Sequence, residues 1–326
     1  MTAQQEHVLG VEPTRTLDPP LELHTAGWPD GSDDPAWLVE SLRYRFWDTA
    51  ELARGIAHLG PFTPERQAAI AHWWSLLVAI EALGPPMYAS MFARATEEHD
   101  DRQVRWSLLA MLRDELQHEQ VCRVALRHLA AGEPGHAAWT DAARDADRHL
   151  RQVEREAARC RQAWRHGLDD HGMGALSGAM LLRSLVLGDL CDQWAYRCPI
   201  PALATALRHL ARDAQRHQCV LRALADRTSR PLRAAQRAEA AAQVRATARL
   251  LSAALLDPVV GPHAAIDDLG GRHRCEPDLG VPTAEQRLEL LRAALLRVRD
   301  LHARHGIDFQ AMPELAIPTR PSAEPM

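Results

Sequence analysis

Glu115 and His118 stand at i and i+3 in the stretch Leu112 to Val124, LRDELQHEQVCRV. On a helix that spacing puts both on one face, with Cβ atoms about 5–6 Å apart. Leu108, Met111, Leu112, Cys122, Ala125 and Leu129 recur on the same face, so it is the face a folded helix would bury. A carboxylate there is costly unless it is paired or holds a metal. The chemistry open to the pair is therefore metal ligation through one oxygen and one nitrogen. The idle alternative is a helix edge on which Glu and His are solvated.

Composition narrows the choices. The 326 residues suit one large helical domain or two small ones. Net charge is −5, and this gives no electrostatic case for nucleic acid or an anionic membrane. The chain has neither Lys nor Asn, so all 38 basic residues are Arg. Both missing residues have A/T-rich codons, which points to GC-rich, bacterial coding. Without Lys there is no Schiff base, no pyridoxal-phosphate lysine and no phosphate-loop lysine. The six cysteines (122, 160, 191, 198, 219 and 275) lack C-x-x-C spacing and read as reduced, small apolar fillers. Neither a signal peptide nor an unbroken apolar run of 18 residues is present. The expectation is a soluble, cytoplasmic protein without membrane or nucleic-acid partners.

The elements that must carry Glu115 and His118 are helices, and no strand pattern of any length occurs. Residues 1–33 are rich in Pro, Gly, Asp and Thr and read as an extended or disordered arm. A helical body follows over 34–256; residues 257–326 read as a loop, a last helix and a Pro-rich tail on the same domain. Within the body, Asp34-Pro35 opens a helix to His58. Thr63-Pro64-Glu65 opens the next, which carries Trp73, Trp74, Leu77, Ile80, Glu81, Tyr88 and Met91 on one side. Gly84-Pro85-Pro86 interrupts it just after Glu81, as a kink or as the junction of two helices. A turn at 97–101 leads into the helix of Glu115. The stretch from Thr140 to His166 is polar and is expected outside the core, with a break over Gly167 to Gly174. Ala175 to Tyr196 is strongly apolar; Cys198-Pro199-Ile200-Pro201 turns it into a helix striped by Leu203, Leu207, Leu210, Ala214, His217, Leu221 and Leu224. Pro231 to Leu256 and Thr283 to His305 supply further helices, the last opened by a Thr283-x-x-Gln286 capping box.

Two hairpins then compare directly. Glu81 and Glu115 are 34 residues apart and nearly equidistant from the turn at 97–101, so antiparallel helices bring them face to face. In the second hairpin Arg212-Asp213-Ala214-Gln215-Arg216-His217 parallels Arg113-Asp114-Glu115-Leu116-Gln117-His118. Where the repeat calls for a second Glu it has Ala214. Across the 198–201 turn, the residue in the mirrored place is Arg183, inside an apolar stripe of Leu176, Met180, Leu187 and Trp194.

Over residues 63–226 this pattern resembles the ferritin-like superfamily, nearest to di-iron oxygenases of the p-aminobenzoate N-oxygenase type, with the small subunits of ribonucleotide reductase more distant. The resemblance implies a ferritin-like four-helix bundle with additional flanking helices. The four long helices fall near 64–97, 100–131, 173–197 and 201–227. It implies Glu81, Glu115, His118 and His217 as metal ligands, with Asp114 and Asp213 each orienting the His of the opposite motif. The chain departs from the family pattern at Arg183 and Ala214, and again at Leu210, where the N-oxygenases carry a further ligating His. A shifted dinuclear site built from Asp189, Asp213 and His217 is the alternative, with His209 and Asp192 nearby; Asp189, however, falls on the flank with Leu182, Leu185 and Gln193.

Charge counting works against two irons. Such a centre brings at least four positive charges, and here two carboxylate ligands remain while a cation has been added. Arg183 cannot shed its proton, so it is expected to bridge Glu81 and Glu115 as a buried salt-bridge cluster. One functional expectation is an oxidoreductase-related protein of bacterial specialised metabolism. It would hold a single iron or other divalent metal, or none, and act on a small organic substrate, with Tyr88 as a candidate radical or hydrogen-bonding residue. The other is a metal-free, non-catalytic binding or partner protein. A homodimer is compatible with either.

Overall fold

A computed structural model describes residues 50, 54–55, 64–98, 102–130, 137–229, 232–256 and 279–307. Among these the secondary structure is helical, without strands. The arm over 1–33, most of the helix expected over 34–58, the loop over 257–278 and the tail beyond 307 lie outside the described residues, as does Cys275. The helices are α1 (Pro64–Glu81), α2 (Gly84–Glu97), α3 (Arg102–Ala130), α4 (Ala137–His171), α5 (Met173–Arg197), α6 (Pro201–Ser229), α7 (Ala234–Leu255) and α8 (Ala284–Ala303). All of them belong to one unit, Ala36–Met326.

α5 is the centre of that unit. Every residue from Met173 to Gly188 is buried, the state expected of a helix that is apolar all round. It packs along α6, α7 and α8, and it touches α4. α1 and α2 pack on α3, and α1 also meets α4. The short connections from α2 to α3 and from α5 to α6 make each pair an antiparallel hairpin. A tryptophan cluster fills the end of the core away from the Glu115 helix turn: Trp73 and Trp74 lie 6.3 and 6.0 Å from Trp194 between ring centroids. Trp194 Nε1 donates to the Leu279 carbonyl at 3.0 Å.

α1 and α2 are separate helices joined by a two-residue turn, which decides between the kink and the junction left open by Gly84-Pro85-Pro86. The cause is local. Pro85 has no N–H to give the Glu81 carbonyl, and its ring opposes a continuing helix. The Leu83 amide reaches only back to Ile80 O, at 3.3 Å. Glu81 thereby becomes the last residue of α1.

The polar composition of Thr140–His166 predicts a helix outside the core, and the structure corrects this. Val153, Ala157, Cys160, Trp164 and Leu168 of α4 are buried. They recur in steps of three and four residues, a narrow apolar stripe that the surrounding Arg, Asp and Glu mask in the composition. The stripe packs on α7, where Trp164 Nε1 donates to Thr247 Oγ1 at 3.0 Å. The expected break over Gly167–Gly174 shrinks to one residue, because Leu168 extends the stripe and α4 continues to His171. Gly172 alone, with φ of 78°, turns the chain into α5.

By length and apolarity two stretches, Ile70–Glu97 and Met173–Arg197, could cross a membrane, although neither is an unbroken apolar run. Of the most apolar window in the second, 94% is buried inside the protein, which is how a core helix passes the same test. Cys122, Cys160 and Cys191 are buried and free, Cys219 is half-buried and free, and Cys198 is half-buried.

Candidate functional site: a closed cluster of ion pairs

Four helical segments deliver charged side chains to one buried point. Glu81 comes from the end of α1, and Asp114, Glu115 and His118 come from α3. Arg183 comes from the middle of α5, and Asp213 and His217 from α6. All seven are buried, none more than 4% exposed.

Arg183 is the hub. Its Nη1 and Nη2 donate to Glu115 Oε1 and Oε2 at 2.9 and 2.7 Å, a bidentate pair. Nη2 also donates to Glu81 Oε2 at 2.7 Å. Nε donates to the Ile80 carbonyl at 3.3 Å, in the last turn of α1 before the proline break. The Gly84-Pro85-Pro86 junction thus contributes twice to the site. It leaves a helix-end carbonyl for Arg183 and it clears space for Glu115. A Cβ on Gly84 would lie 1.9 Å from Glu115 Oε2, so only Gly permits this approach. The Glu115 carboxylate then rests against the first turn of α2, where the helix dipole favours negative charge.

The two motifs cross-brace each other. His118 Nε2 donates to Asp213 Oδ2 at 2.9 Å, while its Nδ1 faces Glu81 Oε2 at 3.7 Å. His217 Nε2 lies 3.4 Å from Asp114 Oδ2, and its Nδ1 lies 3.3 Å from Glu115 Oε1. The two rings stack with centroids 6.0 Å apart. Arg216 closes the outer side. It pairs with Asp213 and sits 3.4 Å from Asp114 Oδ2. Tyr88, on α2, sets its ring edge-on to His217 at 5.8 Å, and its buried hydroxyl has the Ser184 side chain as its polar neighbour.

The electrostatics follow from these contacts. Burial pushes Glu115 up, but the charge and hydrogen bonds of Arg183, joined by His217 and His118, together outweigh it and hold the carboxyl well below the usual range. For His118, burial favours the neutral ring, yet the bonds to Asp213 and Glu81 carry its pKa well above the ordinary value. His217 is raised in the same way, against burial, by Asp114 and Glu115. Burial also opposes ionisation of Asp213, and its bond to His118, with the charges of His118, Arg216 and His217, together overcomes this and lowers it to about 2. Tyr88 is pushed upward by burial and then by Glu115, so its hydroxyl stays protonated. The side chains of Glu81, Asp114, Glu115 and Asp213 face the guanidinium groups of Arg183 and Arg216 and the rings of His118 and His217.

A dinuclear metal centre does not fit these residues. Ala214 offers no donor, Leu210 is apolar, and the Arg183 guanidinium holds the oxygens that two cations would need. The shifted alternative is not assembled either, since Asp189 pairs with Arg297 of α8 at 3.3 Å, away from Asp213. Glu81, Glu115 and His118 can each present one donor atom within 4.8 Å of the others, a triad open to a single divalent ion. Both carboxylates of that triad already accept from Arg183 Nη2, through Glu81 Oε2 and Glu115 Oε2, so an ion would compete with the guanidinium.

Two contributors were not found from sequence. Arg216 carries no signal in the repeat, because its counterpart in the first motif is Gln117. Gly84 was noted as part of a helix break, but its clearance for Glu115 depends on how α2 meets α3. Compared with protein-family models, curated proteins and solved structures, the chain gives no match.

Proposed function

We propose that this chain is a ferritin-like four-helix bundle related to di-iron oxygenases. In our reading Arg183 has taken the place of the metal, leaving a metal-free, non-catalytic binding or partner protein. One observation carries the reading. Arg183 grips both Glu81 and Glu115 while the histidines that would ligate metal are committed to carboxylates on both ring nitrogens. The reciprocal bracing of His118 by Asp213 and His217 by Asp114 supports the relationship, because carboxylates behind ligating histidines are how metal sites fix ring orientation. The convergence of α1/α2, α3, α5 and α6 on this cluster supports the bundle reading. With Arg183 fixed, the cluster serves as a cross-link between the two hairpins.

The Glu81, Glu115 and His118 triad favours a second reading, an oxidoreductase-related enzyme holding one iron or other divalent ion. Bound there, such an ion would supply Lewis-acid or redox chemistry. Elemental analysis of protein purified without chelators separates the two. Far less than one metal ion per chain is expected. One ion per chain supports the enzyme, and two irons per chain would overturn both the network and its charge accounting.

A further inference from the structure

α3 is apolar on two faces. Its inner face, with Leu108, Met111, Val121, Cys122 and Ala125, is buried against the body. On its outer face Trp106, Leu109 and Leu116 are 51%, 37% and 52% exposed. With Arg113, whose side chain is 41% exposed, they follow one another in steps of three, four and three. That is the a/d spacing of a helix–helix seam. Large apolar side chains lined up on one exposed face mark an interaction surface.

We propose that this seam pairs with the same seam of a second copy of the chain, antiparallel and centred on Met111. The seam positions are symmetric about that point, so under a two-fold axis each seam residue meets another seam residue. Trp106 then opposes Leu116 of the other copy, and Leu109 opposes the aliphatic stem of Arg113. The exposed Arg102 opposes the exposed Gln120. A two-fold axis lays each edge of the helix against the same edge of its mate. Arg105 and Glu119 share one edge, so Arg105 of each copy faces Glu119 of the other, twice over. Arg105 has no carboxylate partner among the described residues, and its Nε is buried without a hydrogen bond. Glu119 is bound by Arg123, one turn away on its own helix. Parallel pairing would instead set Arg113 against Arg113 and lose the Arg105–Glu119 contacts, so charge selects the antiparallel arrangement.

One helix face is smaller than the roughly 800 Å² per partner of a standard stable interface, so the dimer is concentration-dependent. The inference rests on α3 alone and is independent of the function proposed above; metal content reads one and association state the other.

Sedimentation velocity of the full chain over a concentration series tests it. The expected result is a monomer–dimer equilibrium that Trp106→Glu or Leu116→Glu shifts to monomer, with helicity and melting unchanged. Arg105→Glu and Glu119→Arg should each raise the dissociation constant severalfold, and the two together should restore it. A monomer at every concentration overturns the proposal. So does a dimer indifferent to Trp106→Glu, or a charge swap that fails to restore pairing.

Discussion

Arg183 Nη2 stands 2.7 Å from Glu81 Oε2 and 2.7 Å from Glu115 Oε2, so one nitrogen of α5 ties the end of α1 to the middle of α3. The three groups are almost wholly removed from water, and each carboxylate depends on the same cation. The relationship makes the cluster cooperative, because no partner can leave without stranding a charge.

Arg183→Ala should therefore destabilise the protein by about 3–5 kcal/mol, the usual cost of breaking a buried ion pair from one side. Adding Glu115→Gln to that variant should recover part of the loss, since it removes one stranded carboxylate. Denaturant unfolding of the single and double variants measures both. A single-variant loss below about 1 kcal/mol, the size of an exposed pair, would mean that water reaches the cluster.

Stability should peak on the acid side of neutrality. The folded-state values of His118 and His217 are raised. Their contribution is complete below the unfolded value of about 6.5 and is lost as pH rises through the folded ones. Glu115 and Asp213 are depressed. Their contribution is complete above the unfolded range of about 4 and fades as pH falls, for Asp213 toward about 2. The plateau between those limits should appear in unfolding midpoints taken from pH 3 to 9, with decline on both sides. Asp213→Asn should flatten the alkaline limb by lowering His118. A wild-type profile that is level from pH 6 to 9 would show that the histidines are neutral in the folded state.

Gly84→Ala should cost about 1–3 kcal/mol, the range for overpacking a filled site. In an open helix the same change gains up to about 1 kcal/mol, so the sign is diagnostic. The added Cβ would meet Glu115 Oε2 at 1.9 Å and must push the carboxylate off Arg183. Thermal unfolding reads the effect; a neutral or stabilising result would mean that α2 slides freely over α3.

Much of this arrangement is legible in the sequence because helical geometry is local. The spacing of Glu115 and His118, the apolar stripe around Arg183 and the match of 113–118 with 212–217 depend only on the helical period. Two short turns then force antiparallel neighbours, and so Glu81, Glu115 and Arg183 could be brought to one level without any coordinates. The absence of Lys likewise settles from composition which covalent chemistry the chain cannot perform.

Other features were decided by tertiary structure, because they depend on contacts between elements. The apolar stripe of α4 is thin enough to be lost among its charges, and it counts as core only because α7 lies over it. Asp189 has the residue type of a ligand, but α8 brings Arg297 to it and takes it out of the site. Arg216 belongs to the cluster because α6 approaches α3 at the level of Asp114, a height that no single helix records. The need for glycine at position 84 has the same origin: the helix break is written in the prolines that follow, but the lack of room for a Cβ is set by Glu115, 31 residues away on another helix.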